Sequence, residues 1–92
     1  MAYSIWYTNK FKRQYRKLKK SDPDLFNNLK AIISLLIERK DVPDKNCNHK
    51  LVGNFKDCWE CHIAPDWLLI YRYRHDILVL ELVATGSHDD LF

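Results

Sequence analysis

Hydrophobic positions follow a helical period in the first half of the chain and a strand period in the second half. The chain begins with a β-branched and aromatic run, Tyr3–Thr8, which is typical of a short strand. Asn9 then stands at the N-cap position of a predicted helix over 10–20. The apolar face of this helix comprises Phe11, Tyr15 and Leu18.

A second helix start follows directly. Asp22 has the position of an N-cap and Pro23 that of the first helical residue, and the pattern continues to about Arg39. The apolar positions at helical spacing are Leu25, Leu29, Ile32 and Leu36, with Phe26, Ile33 and Ile37 beside them. Because only residues 20–22 separate the two helices, we predict a helical hairpin.

The helical period disappears over residues 41–57, where Pro, Asn, Asp and Gly predict a long loop. Three strand-like runs follow with short turns between them: Cys58–Ile63, Trp67–Arg74 and Ile77–Ala84. Short turns favour an antiparallel meander. The 92 residues therefore predict one α+β domain, in which an N-terminal strand and the three-strand meander form one twisted sheet covered by the helical hairpin.

The composition is that of an ordinary globular domain, with 47% hydrophobic and 29% charged residues. The longest strongly apolar runs, Ala31–Ile37 and Ile77–Ala84, are far shorter than the roughly 20 residues of a membrane span. No apolar segment typical of a secretory signal follows the basic N-terminal stretch, and the three cysteines are an odd number. We therefore expect a cytoplasmic protein with no membrane association and no disulfide framework.

The net charge is only +3, but its distribution is uneven. Residues 1–20 contain seven of the 15 basic residues and none of the 12 acidic ones. These seven are Lys10, Lys12, Arg13, Arg16, Lys17, Lys19 and Lys20. So many cations on one helix repel one another when no acidic partner is in reach, which favours a bound polyanion such as an RNA backbone or an acidic protein.

Three of the four histidines fall on segments that the predicted meander brings to one edge. His49 lies in the long loop, His62 near a strand end and His88 in the C-terminal tail. Imidazole titrates near neutral pH, so this grouping indicates acid–base chemistry. His75 lies in the turn at the opposite end of the sheet and is expected to stand apart.

The strand Cys58–Ile63 divides its side chains between two faces by alternation. The face that suits the core carries Trp59, Cys61 and Ile63. The other face carries Glu60 and His62, and Arg72 joins them from the next strand. Asp66, in the turn, is expected to lie close to His62. Such a cluster can bind a phosphate and move protons, and the alternative is an ordinary solvated sheet face.

The string Cys58-Trp-Glu-Cys61-His62 matches the spacing of haem attachment and of zinc sites. Cys47 and His49 add further candidate zinc ligands. However, a strand sends the sulfurs of Cys58 and Cys61 to opposite faces, which suits neither site. We therefore expect no metal or haem, a buried Cys61 and a semi-exposed Cys58.

Four ordered motifs of the C-terminal half together resemble a known family: His49–Gly53, Trp59–His62, Pro65–Tyr71, and Thr85–His88 through Leu91–Phe92. They are similar to the YafQ branch of the RelE/ParE superfamily of bacterial type II toxin–antitoxin toxins. The resemblance is dense over residues 49–92, whereas the helical half matches in pattern only.

This resemblance implies a RelE-like fold and a metal-independent endoribonuclease that cleaves mRNA on the ribosome. The RNA 2′-hydroxyl would attack its own phosphate and leave a 2′,3′-cyclic phosphate and a 5′-hydroxyl. The partners implied are mRNA, the ribosome with its ribosomal RNA, and a cognate antitoxin in a hetero-oligomer. No cofactor is implied, and the basic helix becomes a docking surface for ribosomal RNA or for the antitoxin.

By motif position, the resemblance implies the catalytic set His49, His62, Asp66 and His88, with Phe92 as the C-terminal aromatic residue. His88 would be the general acid, and either His49 or Asp66 the base. His62 would position or stabilise the phosphate, and Phe92 would stack on a nucleobase.

Two positions depart from the family pattern. Relatives commonly have Asp where this chain has Glu60, which keeps the charge on a longer arm. They commonly have Arg where this chain has Ala84, so a candidate transition-state cation is missing. Either Lys56 or Arg72 replaces it, or the enzyme is slow.

Two alternatives stay open. The first is a ParE-like toxin that inhibits DNA gyrase without cleaving RNA, although the grouped histidines argue against it because a pure inhibitor needs no acid–base groups. The second is a zinc- or haem-binding module built on Cys58, Cys61 and His62.

Overall fold

A computed structural model describes residues 3–51 and 57–92. In chain order, its elements are β1 (Ser4–Tyr7), α1 (Asn9–Ser21), α2 (Pro23–Ile37), a single 3₁₀ turn (Asp44–Asn46), β2 (His49–Lys50), β3 (Trp59–Ala64), β4 (Trp67–Arg74), β5 (Val79–Gly86) and α3 (His88–Leu91). The predicted α+β class, the helical hairpin and the three-strand meander are confirmed.

The first helix begins one residue earlier than the sequence predicts. Thr8, and not Asn9, is the N-cap: its backbone is extended, and its Oγ1 accepts a 3.0 Å hydrogen bond from the Phe11 N–H. The same hydroxyl donates to the Val83 carbonyl of β5, so the cap also attaches the helix to the sheet. This second contact favours Thr8 as the N-cap over Asn9, whose side chain could also cap a helix.

Asp22 joins the two helices as predicted. Its N–H donates to the Leu18 carbonyl at the end of α1, and its carboxylate accepts from the Leu25 N–H at the start of α2. The second helix ends at Ile37, slightly before the predicted end, because Arg39 takes a left-handed backbone with φ 57°. At the other end of α2, Asp22 is the single residue that separates the two helices of the hairpin.

The five strands lie in the order β1-β5-β4-β3-β2, with β1 parallel to β5 and every other pair antiparallel. Both helices pack on one face of this sheet. The main core there includes the fully buried Phe11, Leu29, Leu69, Leu80 and Leu82. No helix within the described ranges is long and apolar enough to cross a membrane.

Two segments are more ordered than the sequence predicts. Within the predicted loop 41–57, the 3₁₀ turn and the two-residue strand β2 form, and β2 pairs with β3. The tail carries the one-turn helix α3, whose capping box joins Ser87 and Asp90 through reciprocal side chain–backbone hydrogen bonds. Lys56, one of the predicted phosphate-contacting residues, lies outside the described residues.

Candidate active site

The sheet face opposite the two helices is where the predicted polar cluster falls, and it is largely buried. Alternation in β3 is confirmed, because Cys61 belongs to the core under the helices and Cys58 to a second, smaller core on the other face. The side chains that form this second core are Cys58, Leu68, Ile70, Ala84 and Leu91. Leu91 of α3 packs in this second core, and Glu60 on the same face is only 5% exposed, so the alternative of a solvated surface does not hold at this residue.

His49 is held opposite Glu60. The two residues are direct cross-strand partners in the β2–β3 ladder, and His49 Nε2 lies 2.8 Å from Glu60 Oε2. The other ring nitrogen, Nδ1, lies 2.8 Å from the Cys47 carbonyl oxygen. The imidazole is thus fixed at both nitrogens while its side chain stays 51% exposed.

His62 and His88 meet at the end of the sheet. Their ring centroids lie 5.8 Å apart, and the Phe92 ring lies 6.1 Å from that of His88. The register explains the contact, because Leu68 of β4 pairs with His62 on one side and with Gly86 on the other. The chain then turns at the Ser87 cap and brings His88 beside His62.

The turn that carries Asp66 lies at this same end of the sheet. Asp66 is exposed and comes two residues before Leu68, the shared pairing partner of the two histidine-bearing segments. Trp67 Nε1 donates to Thr85 Oγ1, and that hydroxyl donates to the Leu68 carbonyl. Asp66 therefore lies at the same end of the sheet as His62 and His88, next to a strand end that is held by these hydrogen bonds.

The long loop is attached to the site by a residue that sequence reasoning missed. Asn46 is buried, and its side-chain amide donates a 2.6 Å hydrogen bond to the His62 carbonyl oxygen. The bond joins the 3₁₀ turn to β3 directly before the segment that carries His49. A lone Asn inside an irregular stretch offers no periodic signal by which it could be found.

Arg72 does not fill the place expected for it beside Glu60 and His62. Its Nε donates instead to Glu81, its cross-strand partner on β5. This hydrogen bond raises the pKa of Arg72, and the carboxylate balances its charge. Opposite charges directly across two strands pair readily, and the face alternation alone did not reveal that partner.

The family model for the bacterial toxin of type II toxin–antitoxin systems, YafQ, matches residues 3–92 of this chain. The chain belongs to the YafQ toxin family. The match confirms the resemblance carried by the C-terminal motifs and extends it over the helical half.

Relatives support the same assignment. The mRNA interferase toxin YafQ of Escherichia coli K12 is 33% identical over 89 residues, which cover 96% of this chain and 94% of that protein. A metal-bound toxin from Helicobacter pylori is 34% identical, with a TM-score of 0.89 over 98% of this chain and 99% of that one. A structure of the DinJ–YafQ complex of E. coli matches at 31% identity and a TM-score of 0.86, over 98% of both chains.

Two of the three cysteines of this YafQ-family chain, Cys58 and Cys61, are buried, and Cys47 is exposed. Cys58 and Cys61 lie in separate cores on opposite faces, so the prediction of a semi-exposed Cys58 is wrong: α3 and the neighbouring strands cover it. Burial raises the pKa of both thiols, that of Cys61 to about 12. In the part of the chain that the structure describes, no three His, Cys, Asp or Glu side chains are grouped as metal ligands.

His75 lies in the β4–β5 turn at the far end of the sheet, away from the other three histidines, as the sequence predicts. Its Nδ1 lies 2.7 Å from the Tyr3 hydroxyl, and its ring stacks on Tyr73 with centroids 5.4 Å apart. Since this histidine has a structural environment of its own, its substitution is a matched control for the site histidines.

The seven basic residues of α1 are all exposed, while Phe11 and Leu18 bury the opposite side of the helix. Gln14, on the same helix, accepts a 2.9 Å hydrogen bond from the Thr85 N–H of β5. The helix is therefore attached to the end of the strand that leads into His88. A hydrogen bond thus links the basic helix of this YafQ-family chain to the strand that leads into the cluster of His62 and His88.

Proposed function

We propose that this YafQ-family endoribonuclease cleaves mRNA on the translating ribosome by metal-independent acid–base catalysis. In this reaction, the RNA 2′-oxygen bonds to the adjacent phosphorus and the bond from phosphorus to the 5′-oxygen breaks. The products are a 2′,3′-cyclic phosphate and a 5′-hydroxyl. The reaction requires a base, an acid and positive charge near the phosphorane.

The observation that carries the proposal is the meeting of His62, His88 and Phe92 at one end of the sheet. His49, held on Glu60, is on the same face, because Glu60 and His62 are two residues apart on β3, a separation of about 7 Å. Three imidazoles beside one exposed aromatic ring suit a phosphodiester flanked by a base. The separation of about 7 Å between Glu60 and His62 is comparable with the length of one nucleotide unit.

Within this cluster, His88 is the general acid. Its ring is exposed on the first turn of α3 beside His62, where a leaving 5′-oxygen can approach it. Phe92 is 61% exposed and stacks on a nucleobase, as aromatic side chains do in single-stranded RNA recognition. His62 contacts the phosphate, and the base is either His49 or Asp66.

Two positions at which a fixed positive charge was expected do not supply one in the described part of the chain. Ala84, at the position where relatives commonly carry Arg, is 1% exposed within the second core, and the guanidinium of Arg72 is balanced by Glu81. We expect a slow enzyme that depends on the ribosome for part of its transition-state stabilisation.

The basic surface of α1 docks on ribosomal RNA, and the acidic surface of a cognate antitoxin covers it in a toxin–antitoxin hetero-oligomer. The exposure of all seven cations supports this role, as does the complex that a relative forms with DinJ. A ribosomal target implies a cytoplasmic protein. Because Gln14 attaches α1 to β5, docking would orient the histidine cluster toward the bound mRNA.

The gyrase-inhibitor alternative does not explain the histidine cluster, since inhibition by binding requires no general acid or base. The zinc or haem alternative conflicts with the burial of Cys58 and Cys61 on opposite faces of the sheet. RNA cleavage accounts for both the basic surface and the cluster.

Induced expression of the wild type, His88→Ala and His75→Ala, with mapping of mRNA ends, tests the proposal. Wild type and His75→Ala should arrest growth and produce new mRNA ends carrying 5′-hydroxyls. His88→Ala should do neither. If His88→Ala arrests growth as strongly as the wild type and no strain shows new ends, the chain is not a nuclease.

A further inference from the structure

A pocket of about 270 Å³ lies on the helix side of the sheet, where the end of α2 meets β3 and β4. Trp59 and Tyr71, which are direct cross-strand partners, line it together with Tyr73. Alternation in β3 puts Trp59 on the same face as Cys61 of the main core, and Glu60 on the other face. The pocket is therefore an aromatic, concave surface on the opposite side of the sheet from the candidate active site.

Arg39 stands at this pocket in a conformation that disfavours a side chain. Its N–H donates to the Leu36 carbonyl, and the N–H of the next residue, Lys40, donates to the Leu35 carbonyl. These two bonds form a Schellman motif at the end of α2, and the residue in its left-handed position is most often glycine. Arg39 has φ 57° at that position. Backbone strain of this kind is typical of functional sites, and here it brings a guanidinium to the pocket.

The guanidinium of Arg39 is packed against aromatic rings and keeps its hydrogen-bond donors available. Its Cζ lies 5.1 Å from the centre of the Tyr3 ring and 5.9 Å from that of Tyr73. Within residues 3–51 and 57–92, this side chain makes no ion pair and no hydrogen bond. A guanidinium presents its N–H donors in a planar fork that fits a phosphate. His75 also lines the pocket, but its ring is engaged with Tyr3 and Tyr73, so we assign it no contact with a ligand.

Trp59 supplies an aromatic surface beside this cation. Its side chain is 37% exposed, and among the described residues its indole N–H has no hydrogen-bond partner. Lys50, its cross-strand partner on the short strand β2, is an exposed cation next to it. An exposed indole beside basic side chains is the combination that binds single-stranded nucleic acid, since the base stacks on the ring and the phosphate contacts the cation.

The acidic residues at the pocket do not cancel its positive charge. Lys40 is paired with Glu38 at 2.7 Å, which leaves Arg39 and Lys50 against the single carboxylate of Asp41. A carboxylate beside a guanidinium suits a nucleotide better than a simple anion, because it can accept a hydrogen bond from the amino group of a base. The pocket thus combines a phosphate donor set, a stacking surface and an acceptor for a base.

We propose that this pocket binds a nucleotide of the mRNA a short distance from the cleaved phosphodiester, with its base on Trp59 and its phosphate on Arg39. The inference rests on the proposed function. Asn48 connects the two sites, because its Oδ1 accepts a 2.5 Å hydrogen bond from the Tyr71 hydroxyl and the next residue is His49. The strand β2 is the outermost of the sheet, so an RNA chain can pass over its exposed residues from one face to the other.

The distance between the two sites suits a short RNA. Trp59 and His62 are three residues apart on β3, roughly 10 Å, which a few nucleotides can span. An RNA that occupies both sites makes its second contact within one complex, so it binds more tightly than a fragment that occupies either site alone.

Binding of uniformly 2′-O-methylated RNA to the full-length toxin tests the proposal without cleavage, because a methylated 2′-oxygen cannot attack the phosphate. The probes are a hexanucleotide of mixed sequence and uridine 5′-monophosphate. We expect the hexanucleotide to bind about 100-fold more tightly and to shift the NMR signal of the Trp59 indole N–H. The signal of Trp6, exposed on β1, should not move. If the mononucleotide binds as tightly as the hexanucleotide, the pocket takes free nucleotides and its role in mRNA binding is wrong.

Arg39→Gly is the most informative variant, because it relieves the left-handed strain while it removes the guanidinium. It should weaken hexanucleotide binding about tenfold without lowering the urea midpoint. Trp59→Ala should cause a loss of about the same size, and Trp59→Phe should recover part of it. Lys30→Gln and Trp6→Ala, which remove a cation from α2 and an exposed indole from β1, are the matched controls and should bind as the wild type does.

These measurements separate the pocket from the proposed function. The pocket proposal is wrong if Arg39→Gly and Trp59→Ala bind the hexanucleotide as tightly as the wild type. It is also wrong if the Trp59 signal responds to the cognate antitoxin and not to RNA, because a protein then occupies the pocket. A hexanucleotide that shifts the ring signals of His88 alone contradicts the pocket and leaves the proposed function standing. Failure of the wild type to cleave mRNA on ribosomes refutes the proposed function, whereas RNA binding at the pocket is decided by the Trp59 signal.

Discussion

Charge reversal at Arg16 should make the free toxin more stable and its docking weaker. Arg16 lies in the middle of α1, with Lys12 and Lys20 four residues away and Arg13 and Lys19 three residues away. All four neighbours carry the same charge. In Arg16→Glu, each of these repulsions becomes an attraction.

The size of the effect follows from the four pairs. Each i,i+3 or i,i+4 pair contributes about 0.2–0.5 kcal/mol, and reversal removes a repulsion and adds an attraction. Solvent exposure reduces this sum, so we expect the free energy of unfolding to rise by about 1–2 kcal/mol at low salt and by much less near 1 M salt, where the screening length is about 3 Å.

Docking should change in the opposite direction. Loss of one phosphate contact and introduction of a like charge should weaken ribosome association about tenfold at physiological salt. The slope of log K against log salt should fall by about one unit. Such opposed effects indicate a surface that is selected for binding at the expense of stability.

Urea denaturation at low and high salt and ribosome co-sedimentation are the assays. Lys30→Glu makes the same change of charge on α2, where Lys30 lies over the Phe26 ring, and it controls for net charge in the binding assay. If both variants bind alike, α1 has no special role in docking. If Arg16→Glu leaves the low-salt stability unchanged, the reasoning from like-charge repulsion is refuted.

Three further predictions concern single side chains. Thr8→Ala removes the oxygen that caps α1 at the Phe11 N–H and should lower the free energy of unfolding by about 1–2 kcal/mol in urea, whereas Thr8→Ser should retain most of it. Ser87→Ala should loosen the turn that presents His88 and lower cleavage roughly fivefold, about 1 kcal/mol, with little change in the urea midpoint. Because burial raises the pKa of Cys61 from 9.0 to about 12, the folded state keeps this proton to higher pH than the unfolded chain does. Stability should therefore be unaffected by this group below pH 9 and fall above it by up to about 1.4 kcal/mol per pH unit, and Cys61→Ala should reduce the fall in denaturation curves measured from pH 8 to 11.

Local patterns predicted the helices and strands well because each depends on spacing along the chain. The alternation of residues in β3 correctly placed Cys61 and Glu60 on opposite faces of the sheet. It did not reveal that the face of Glu60 is buried, since that depends on Leu91 returning from the end of the chain. The parallel pairing of β1 with β5 is similarly nonlocal, because the two strands are separated by both helices and the meander.

The sequence indicated candidate members of the site, and it did not indicate their contacts. Histidine positions and motif order indicated His49, His62 and His88, and the structure brings the rings of His62 and His88 together. The pairing of His49 with Glu60 depends on β2, a strand of two residues that is too short to show a period. Likewise, the ion pair of Arg72 follows from the β4–β5 register, which no local pattern specifies.

The central claim is that this chain cuts mRNA through its histidine cluster when the ribosome presents the message. The most direct measurement uses purified toxin, a defined mRNA, and translating ribosomes, with the wild type compared with His88→Ala and with naked mRNA. We predict that the wild type cleaves mRNA much faster on ribosomes than as naked mRNA, with 2′,3′-cyclic phosphate and 5′-hydroxyl ends, and that His88→Ala cleaves at least 100-fold more slowly. Equal cleavage by the two proteins, or products that carry 5′-phosphates, would contradict the account.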